Sequence, residues 1–415
     1  MTKKAALLIA FHFPPQAGSS GIQRTLSFSK HLQQHDWQAV VLSANSRAYA
    51  SHNPSQLSSL PASVVVHRAF ALDTKRHLGL KGRYLELMAL PDRWISWWAH
   101  GVWSGLRLIR QHRPGVIWST FPIATAHLIG LTLHRLTRLP WIADFRDPML
   151  QPSYPSSARQ RKIYGWIESQ TIKQCRFAVF TTQRALDSFQ SRFPDTDSSK
   201  FRLIENGYDE EEFARLLSEA TPASTTTQRL TLLHSGILYK NGRDPGPFLA
   251  AVASLKKAER IAAASLRIIL RAPGDIAAIQ AEVVVNGVAD IVEVLPPMPY
   301  RDALNEMLSA DGLLLFQGTP FNSQIPAKVY EYFRSRKPVL GLVDPAGETA
   351  EVLRSAGFSG IANPESHSDI AATLDAFIIS IRDGSAYVAS DGVIARASRA
   401  HKAGQLASLF DEAAK

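Results

Sequence analysis

Short apolar runs alternate with segments of helical periodicity along nearly the whole chain, and this alternation is the feature that most limits the fold. In the first half, the apolar runs predict strands at residues 5–11, 39–43, 64–67, 116–119, 141–144, 177–181 and 201–204. Helical periodicity in the same half predicts helices at residues 22–34, 124–138 and 157–175. Because strands that alternate with helices form doubly wound parallel sheets, the first half predicts an α/β domain.

The alternation stops at a polar stretch, residues 221–227, and then begins again. Its Thr, Ser and Pro content is typical of a linker. The second half predicts strands at residues 230–235, 266–272, 291–295, 312–316 and 339–343, and helices at residues 247–262, 275–285, 301–308, 326–335, 348–356 and 369–382. We therefore expect two Rossmann-like domains, at residues 1–210 and 225–393, and a final helical segment at residues 394–415.

The composition is that of a well-cored globular protein. Of the 415 residues, 45% are hydrophobic and 20% are charged, which is an ordinary balance. No apolar run reaches the roughly 18 residues that a membrane span requires. Residues 5–11 form too short an apolar stretch for a signal peptide and precede Pro14 and Pro15, so we expect a first strand there. The single cysteine, Cys175, excludes an internal disulfide and is typical of a reducing compartment.

The formal net charge of +10 indicates an anionic partner or ligand. No basic run with interleaved aromatic residues predicts binding of nucleic acid. An anionic membrane surface or a phosphate-bearing substrate fits the dispersed lysines and arginines equally well. A segment rich in tryptophan and arginine favours a membrane interface, although packing of a helix against the sheet would explain the same residues. Its tryptophans are Trp94, Trp97, Trp98 and Trp103.

The segment from residue 312 to residue 338 is the most informative about function. A predicted buried strand leads through a polar loop to Pro326, whose fixed φ suits the first turn of a helix. The start of such a helix at the carboxyl end of a strand attracts phosphate. Lys328 adds a positive charge, and Glu331, one turn further on, offers acceptors for vicinal hydroxyls. Phosphate beside a diol describes a nucleotide sugar; an ordinary amphipathic helix with a solvated lysine and glutamate is the alternative.

Two loops in the predicted second domain carry basic residues at the ends of strands. Gly236 ends the strand at residues 230–235, and Lys240 and Arg243 follow in the loop before the next helix. Two cations at this position would neutralise a diphosphate, and Arg243 is capable of bidentate contact. Arg271 closes the next strand. The alternative is a basic surface loop.

The loop at residues 13–24 of the first domain combines glycines with one arginine. Gly18 and Gly21 permit a close backbone approach to a ligand, and Arg24 falls in the first helical turn. Glycine-rich loops alone are weak signals, and a turn with a packing glycine is the alternative interpretation.

A charged block, Asp-Phe-Arg-Asp-Pro at residues 144–148, ends another predicted strand. Buried strands rarely carry this density of charge without pairing. Asp144 and Arg146 alternate with Phe145, so we expect both charged side chains on one side. A structural Arg–Asp pair that braces the loop is the alternative. His127, on the preceding helix, is a further candidate, although a lone helical histidine is more often a surface or core residue.

Together these blocks resemble glycosyltransferases of the GT-B fold that act with retention, similar to family 4. The resemblance covers the loop at 13–24, the block at 144–148, the Gly236–Arg243 loop and Pro326-Ala327-Lys328 with Glu331. In many of these enzymes two glutamates seven residues apart face the donor; the later one matches Glu331, whereas Ser323 stands at the earlier position. The resemblance implies two Rossmann-like domains facing a cleft and a carboxyl-terminal helix that returns to the first domain.

The resemblance also implies the chemistry. A nucleotide-diphosphate sugar serves as donor, no metal and no other cofactor takes part, and a donor phosphate oxygen helps to deprotonate the acceptor. Gly236, Lys240 and Arg243 would stabilise the departing diphosphate, and Asp144 or Asp147 would orient the acceptor hydroxyl. Because Ser323 replaces a glutamate, a catalytically silent binding subunit stays open as an alternative, as does a nucleotide-sugar 2-epimerase of the same fold.

The net charge and the tryptophan-rich segment predict the cellular location and the kind of acceptor. We expect a cytoplasmic enzyme, peripheral at the inner face of a membrane, that acts on a lipid-linked or polysaccharide intermediate of bacterial cell-surface glycan synthesis. The predicted partners are a nucleotide sugar, a glycan or lipid-linked acceptor and an anionic membrane surface, without nucleic acid. A soluble acceptor with all the tryptophans in the core is the competing interpretation.

Overall fold

The computed structural model describes residues 4–17, 21–53, 57, 60–80, 83–151, 154–219 and 229–415. It divides the chain into two compact units. The first unit comprises Met1–Asn206 together with Arg399–Lys415, and the second comprises Gly207–Ser398. The predicted linker at residues 221–227 lies outside the described residues.

The first unit is built on one parallel sheet of seven strands. The strands are β1 (Lys4–Ile9), β2 (Trp37–Ala44), β3 (Val65–Ala69), β4 (Val116–Thr120), β5 (Trp141–Arg146), β6 (Phe177–Phe180) and β7 (Phe201–Leu203). Their order across the sheet is β3-β2-β1-β4-β5-β6-β7. The helices of this unit are α1 (Gly21–His31), α2 (Trp97–His112), α3 (Ala124–Thr137), α4 (Ala158–Gln174), α5 (Gln183–Arg192) and α14 (Arg399–Ala413).

The second unit is built on a parallel sheet of six strands. These are β8 (Leu230–Ser235), β9 (Leu266–Arg271), β10 (Val292–Leu295), β11 (Gly312–Gln317), β12 (Val339–Val343) and β13 (Ile361–Ala362), in the order β10-β9-β8-β11-β12-β13. The helices are α6 (Glu210–Glu219), α7 (Gly246–Lys257), α8 (Ile276–Val285), α9 (Tyr300–Ser309), α10 (Lys328–Ser335), α11 (Glu348–Ser355), α12 (His367–Arg382) and α13 (Asp391–Ala397).

Burial on both faces explains why the strands are apolar throughout. Alternate residues of a strand point to opposite faces. In β1, Leu7 and Ile9 enter one apolar cluster, whereas Ala6 and Leu8 enter another on the other face. Because both faces are covered, apolar side chains occur at consecutive positions, as parallel sheets require. The second sheet has two clusters in the same way.

The predicted fold class is confirmed, since each unit is a doubly wound parallel sheet with helices between the strands. The carboxyl-terminal helix α14 belongs to the first unit, where Leu406 and Phe410 join the cluster of Trp37. The division differs from the predicted one, because the chain leaves the first unit after Asn206 and both α6 and α13 belong to the second unit.

Helices α2, α5 and α6 and strand β13 were not predicted from the pattern. Helix α5 is largely polar and buries only Ala185, Leu186 and Phe189, so its apolar stripe is short. Strand β13 is a two-residue edge strand, which is too short to show an alternating pattern.

The tryptophan-rich segment contains both core and surface residues. In helix α2, Trp97 is fully buried in the core, whereas Trp98 and Trp103 are exposed. No helix in the described part of the chain is long and apolar enough to cross a membrane.

Candidate functional site

The carboxyl ends of β8 and β11 mark the point at which the strand order of the second sheet reverses. Strand β8 has β9, the next strand along the chain, on one side and β11 on the other. Open α/β sheets bind their ligands at such points. Gly236 begins the loop after β8, and Lys328 begins α10 after β11. A methyl group built on Gly236 would lie 3.4 Å from Lys328 Cε, so the fold brings these two predicted donor residues together.

Arg243 lies in the loop that follows Gly236. Its Nε and Nη2 donate to Oε1 of Gln317 at 3.1 and 2.9 Å. In the described part of the second unit, the ion pairs within 4.0 Å involve cations other than Arg243 and Lys328. A cavity of about 280 Å³ is lined by Arg243, Gln317, Gly242 and Gly318, among others. Two positive charges that lack a carboxylate partner thus remain for an anionic ligand.

Lys240, in contrast, already has two carboxylate partners. Its Nζ lies 3.0 Å from Asp244 Oδ1 and 2.7 Å from Glu282 Oε1. The hydrogen bond to Glu282 is the main cause that raises the pKa of Lys240, with Asp244 adding to it. The predicted contact between Lys240 and a diphosphate would have to compete with both carboxylates.

Arg271 is also fully engaged. Its Nε and Nη2 donate to the two carboxylate oxygens of Glu306, and Nη1 donates to the carbonyl oxygen of Pro296. The residue is buried. Arg271 thus braces β9 against α9. Its guanidinium nitrogens donate to Glu306 and Pro296, so the structure does not show them turned toward a ligand.

Glu331 lies in the first turn of α10, where the prediction places a diol-binding carboxylate. The helix begins at Lys328 after the N-cap Ala327, which offers no side-chain cap. The backbone N–H groups of Val329 and Tyr330 donate to the carbonyl oxygens of Pro326 and Ala327. Pro326 therefore precedes the helix and is not within its first turn. Oε1 of Glu331 accepts a hydrogen bond of 2.8 Å from the Tyr300 hydroxyl. This bond fixes the direction of the carboxylate, which is 9% exposed.

His234 is a residue of this region that sequence reasoning missed. It lies in β8, two positions before Gly236, and is 4% exposed. Its Nδ1 lies 3.0 Å from the carbonyl oxygen of Leu314. From the sequence, His234 lies inside a predicted strand and looks like an ordinary core residue. It lies beside Gly236 and Lys328 only because β8 pairs with β11.

In the first unit, Arg24 and Asp144 form a buried pair. Nε of Arg24 donates to Oδ2 of Asp144 at 3.0 Å and Nη2 donates to Oδ1 at 2.9 Å. The same guanidinium donates to the carbonyl oxygens of Ile204 and Glu205, and Thr120 donates to Asp144 Oδ2 at 2.9 Å. Asp144 is therefore part of a structural pair, but its partner is Arg24 and not an arginine of the block at residues 144–148. Most donors of Arg24 are used inside the unit.

Arg146 and Asp147 lie beyond this brace at the carboxyl edge of the sheet. The pairing of β5 with β6 shifts between Asp144 and Arg146, and Arg146 has a φ of 62°. The expected simple alternation is thus broken, since Asp144 is fully buried whereas Arg146 and Asp147 are half-buried. Burial raises the pKa of Asp147, and the charge of Arg146 opposes this rise. Nε of Arg146 has no partner among the described residues.

His12 is a second residue that the sequence did not single out. It follows β1, the neighbour of β4 at the switch point of the first sheet. Burial, and then the charge of Arg146, lower the pKa of His12 to about 4. His12 is therefore neutral at pH 7 and lies in the electrostatic field of Arg146. Its position directly after the first strand was the available signal.

His127 lies in the core of the first unit. It is fully buried, its Nδ1 is 2.7 Å from Ser119 Oγ, and its ring centre is 4.9 Å from that of Phe145. Burial lowers its pKa to about 3, against a smaller opposing effect of Asp144. The structure thus places His127 among aromatic rings in the core of the unit, which does not suit its predicted role in catalysis.

Of the two glycines predicted to lie at a ligand in the first loop, the structure describes only Gly21. Gly18 lies outside the described residues. Gly21 is the first residue of α1 and is buried.

A separate cavity of about 410 Å³ lies within the first unit, beside the residues that follow β4. Its lining is aromatic and polar, with Tyr84, Trp94, Tyr154, Tyr164, Asp92 and Arg93 among its residues.

Residues 15–207 match the family described as glycosyl transferase 4-like domain. No curated protein sequence matches the chain. Among solved structures, HepE from Anabaena in complex with UDP is similar with a TM-score of 0.66 at 13% identity, over 99% of this chain and 100% of HepE. Sucrose-phosphate synthase from Thermosynechococcus elongatus has a TM-score of 0.64 at 12% identity, over 99% of this chain and 98% of the synthase. WaaG, a glycosyltransferase involved in lipopolysaccharide biosynthesis, has a TM-score of 0.56 at 14% identity, over 99% of this chain and 98% of WaaG.

Proposed function

We propose that this chain, a GT-B fold glycosyltransferase whose first unit contains a glycosyl transferase 4-like domain, transfers a sugar from a nucleotide-diphosphate sugar to an acceptor hydroxyl. The observation that carries the proposal is the pair of cations, Lys328 and Arg243, that lie at the switch point of the second sheet without a carboxylate partner among the described residues. HepE, which has the same fold, is described in complexes with UDP and with UDP-glucose.

The proposed donor site uses the charges of the second unit. Lys328 and Arg243 would hold the diphosphate near the positive end of the α10 dipole. When the glycosidic bond breaks, negative charge grows on the leaving diphosphate, and fixed positive groups stabilise that charge without reorganising. Glu331, oriented by Tyr300, would accept hydrogen bonds from the ribose hydroxyls.

The proposed course of the reaction is retention without a metal ion. Both features rest on the resemblance of the Pro326–Glu331 block and the loops around it to retaining enzymes. In such a course a phosphate oxygen of the donor takes the proton of the acceptor hydroxyl as the new bond forms. The diphosphate then leaves with that proton, while Arg243 and Lys328 balance its remaining charge.

The proposed acceptor is lipid-linked and is bound by the first unit. The cavity of about 410 Å³ offers aromatic faces and polar groups, a combination suited to sugar rings. Several apolar side chains of the neighbouring segment are exposed, among them Leu80, Leu85 and Leu87. Exposed basic residues, Lys75, Arg76 and Arg83, lie in the same segment. Apolar and basic side chains together favour the surface of an anionic membrane, which would place the enzyme at the cytoplasmic face.

A binding subunit without transfer activity is the second candidate. Ser323 stands where many retaining enzymes carry a glutamate that faces the donor, and this substitution favours binding without turnover. In that case the second unit would still bind a nucleotide sugar. The two candidates differ only in whether a sugar leaves the donor.

One experiment tests the proposal and separates the candidates. The protein is incubated with a panel of nucleotide-diphosphate sugars and a membrane lipid extract, and mass spectrometry follows both the nucleoside diphosphate released and the mass added to the lipids. We expect one donor to yield a glycosylated lipid, and the Arg243→Ala variant to yield far less. Calorimetric titration with the same donors measures binding. A donor that binds without any product supports the silent subunit, and a panel from which no donor binds contradicts the proposal.

A further inference from the structure

One nitrogen of His234 has no hydrogen-bond partner. Because the carbonyl oxygen of Leu314 only accepts, Nδ1 of His234 carries the proton of that 3.0 Å bond. In the neutral ring, Nε2 is then an acceptor. This atom is buried and has no partner among the described residues. Unsatisfied buried polar atoms are uncommon in folded proteins and call for an explanation.

The unpartnered nitrogen lies close to the place that a side chain would take at position 236. A methyl group built on Gly236 would lie 3.5 Å from Nε2 of His234 and 3.4 Å from Cε of Lys328. Because glycine carries no side chain, the backbone at Gly236, Nε2 of His234 and the Lys328 side chain lie close together. A phosphate oxygen that approaches this glycine would come near both Nε2 and the Lys328 side chain.

We propose that His234 is a further ligand-contacting residue of the donor site, and that its Nε2 takes up a proton when a diphosphate sugar binds and then donates a hydrogen bond to a phosphate oxygen beside Gly236. This inference rests on the proposed function, because it requires a diphosphate at Gly236 and Lys328. The step is a protonation equilibrium: one proton moves from solvent to Nε2, and no covalent bond to the ligand forms.

The charges around the ring explain the coupling. Burial is the main cause that lowers the pKa of His234 to about 4, and the charges of Lys328 on α10 and Arg243 on the loop after β8 lower it further. The carbonyl of Leu314 on β11 and the backbone of Gly236 act in the opposite direction. Tyr332, also on α10, stays neutral because burial raises its pKa. A diphosphate would offset both cations, so the charged ring becomes favourable in the complex.

Calorimetric titration in two buffers with different ionisation enthalpies counts the protons taken up on binding. UDP-glucose is the first probe, because neither of its esterified phosphates titrates near neutral pH. Between about pH 5 and pH 6, we expect the parent to take up about one proton per bound ligand, and its affinity to fall by up to tenfold per pH unit as the pH rises through the same range.

The matched control is His234→Asn. The Asn side-chain nitrogen occupies the place of Nδ1 and still donates to Leu314, but the side chain does not titrate. This variant should bind with no proton uptake at position 234 and with an affinity that no longer depends on pH in this range. If the parent takes up no proton, or if the variant takes up as many as the parent, the inference is wrong.

A second measurement keeps the inference testable if the variant does not fold. Imidazole ¹⁵N chemical shifts of the parent distinguish a bare Nε2 from a protonated one. With saturating UDP-glucose at about pH 6, the Nε2 signal of His234 should move to the protonated range, and an unchanged signal contradicts the inference. Should UDP-glucose not bind, the donor found in the nucleotide-sugar panel replaces it. If no donor binds, both the proposed function and this inference are wrong. If a donor binds and Nε2 of His234 stays unprotonated, only the inference is wrong.

Discussion

The guanidinium of Arg24 holds both carboxylate oxygens of Asp144, at 3.0 Å from Nε and 2.9 Å from Nη2, inside the core of the first unit. Neither side chain is open to solvent. The remaining bonds of Arg24, to the carbonyl oxygens of Ile204 and Glu205, connect α1 with the chain that follows β7. The pair therefore fixes the carboxyl edge of the first sheet from the inside.

Breaking this pair should destabilise the first unit strongly. Asp144→Asn leaves the charge of Arg24 buried and uncompensated, so we expect the free energy of unfolding to fall by about 3–5 kcal/mol. Arg267→Ala, which removes a partly exposed pair with Glu293, is the matched control and should cost about 0–1 kcal/mol. Urea unfolding measures both values. Equal and small effects of the two variants would show that the Arg24–Asp144 pair does not brace the fold.

The buried histidines predict a loss of stability in weak acid. The pKa values of His127, about 3, and His234, about 4, lie below the ordinary histidine value. Between that ordinary value and each native pKa, the unfolded chain binds more protons than the native one, so stability falls as the pH falls. We expect a slope of about 1.4 kcal/mol per pH unit for each histidine.

Urea unfolding between about pH 6.5 and pH 4.5 checks this slope. His127→Asn, which can still accept the hydrogen bond of Ser119, should flatten the pH dependence. The exposed His100→Asn is the control and should keep the parental slope. An unchanged slope in His127→Asn would mean that His127 is protonated in the native protein over this range.

Glu331 should matter for the nucleoside part of the donor. Glu331→Gln removes the charge that strengthens hydrogen bonds to the ribose hydroxyls, and we expect the free energy of nucleotide binding to weaken by roughly 1.5–3 kcal/mol. The loss should disappear when the ligand is inorganic pyrophosphate. Tyr300→Phe, which removes the bond that orients Glu331, should give a smaller loss with the same selectivity. A variant that binds every nucleoside diphosphate as the parent does would refute the assignment.

The exposed leucines beside the tryptophan segment should mediate attachment to anionic membranes. Leu85 and Leu87 are 71% and 70% exposed, and each nearby basic residue can add about 1 kcal/mol at such a surface. We expect flotation with anionic liposomes at low salt, loss of flotation at high salt, and loss in the double variant Leu85→Ser, Leu87→Ser. Val285→Ser, an exposed apolar residue of the second unit, is the control. Equal flotation of parent and double variant would assign no role to this segment.

The sequence predicted the fold because the pattern is local. The strands at residues 230–235 and 339–343 have the same limits in the structure, since each is a short, mainly apolar run that ends at Gly236 or at Asp344-Pro345. The positions of Gly236 and Lys328 were predictable for the same reason, as each follows such a run. The two-residue strand β13 and the polar helix α5 carry too little pattern to be recognised.

The partners of the charged residues could not be predicted from the sequence. Lys240 and Arg243 look equivalent in the same loop, yet Lys240 is paired with Glu282 on α8 whereas Arg243 contacts the amide of Gln317 on β11. These contacts depend on which strands are neighbours. Arg24 was predicted at the donor and lies instead against Asp144, because the packing of α1 on the sheet decides which acceptor it reaches.

The difference between Arg243 and Lys240 provides the most direct test of the central claim, which is that the second unit holds the diphosphate of a nucleotide sugar. Isothermal titration calorimetry compares nucleotide-diphosphate sugar binding to the parent, Arg243→Ala and Lys240→Ala. Loss of a charge-assisted contact should weaken binding to Arg243→Ala by about 1.5–3 kcal/mol, whereas Lys240→Ala, whose charge is already balanced by Asp244 and Glu282, should bind nearly as the parent does. Parental affinity in Arg243→Ala, with an unchanged melting temperature in all three proteins, would contradict the account.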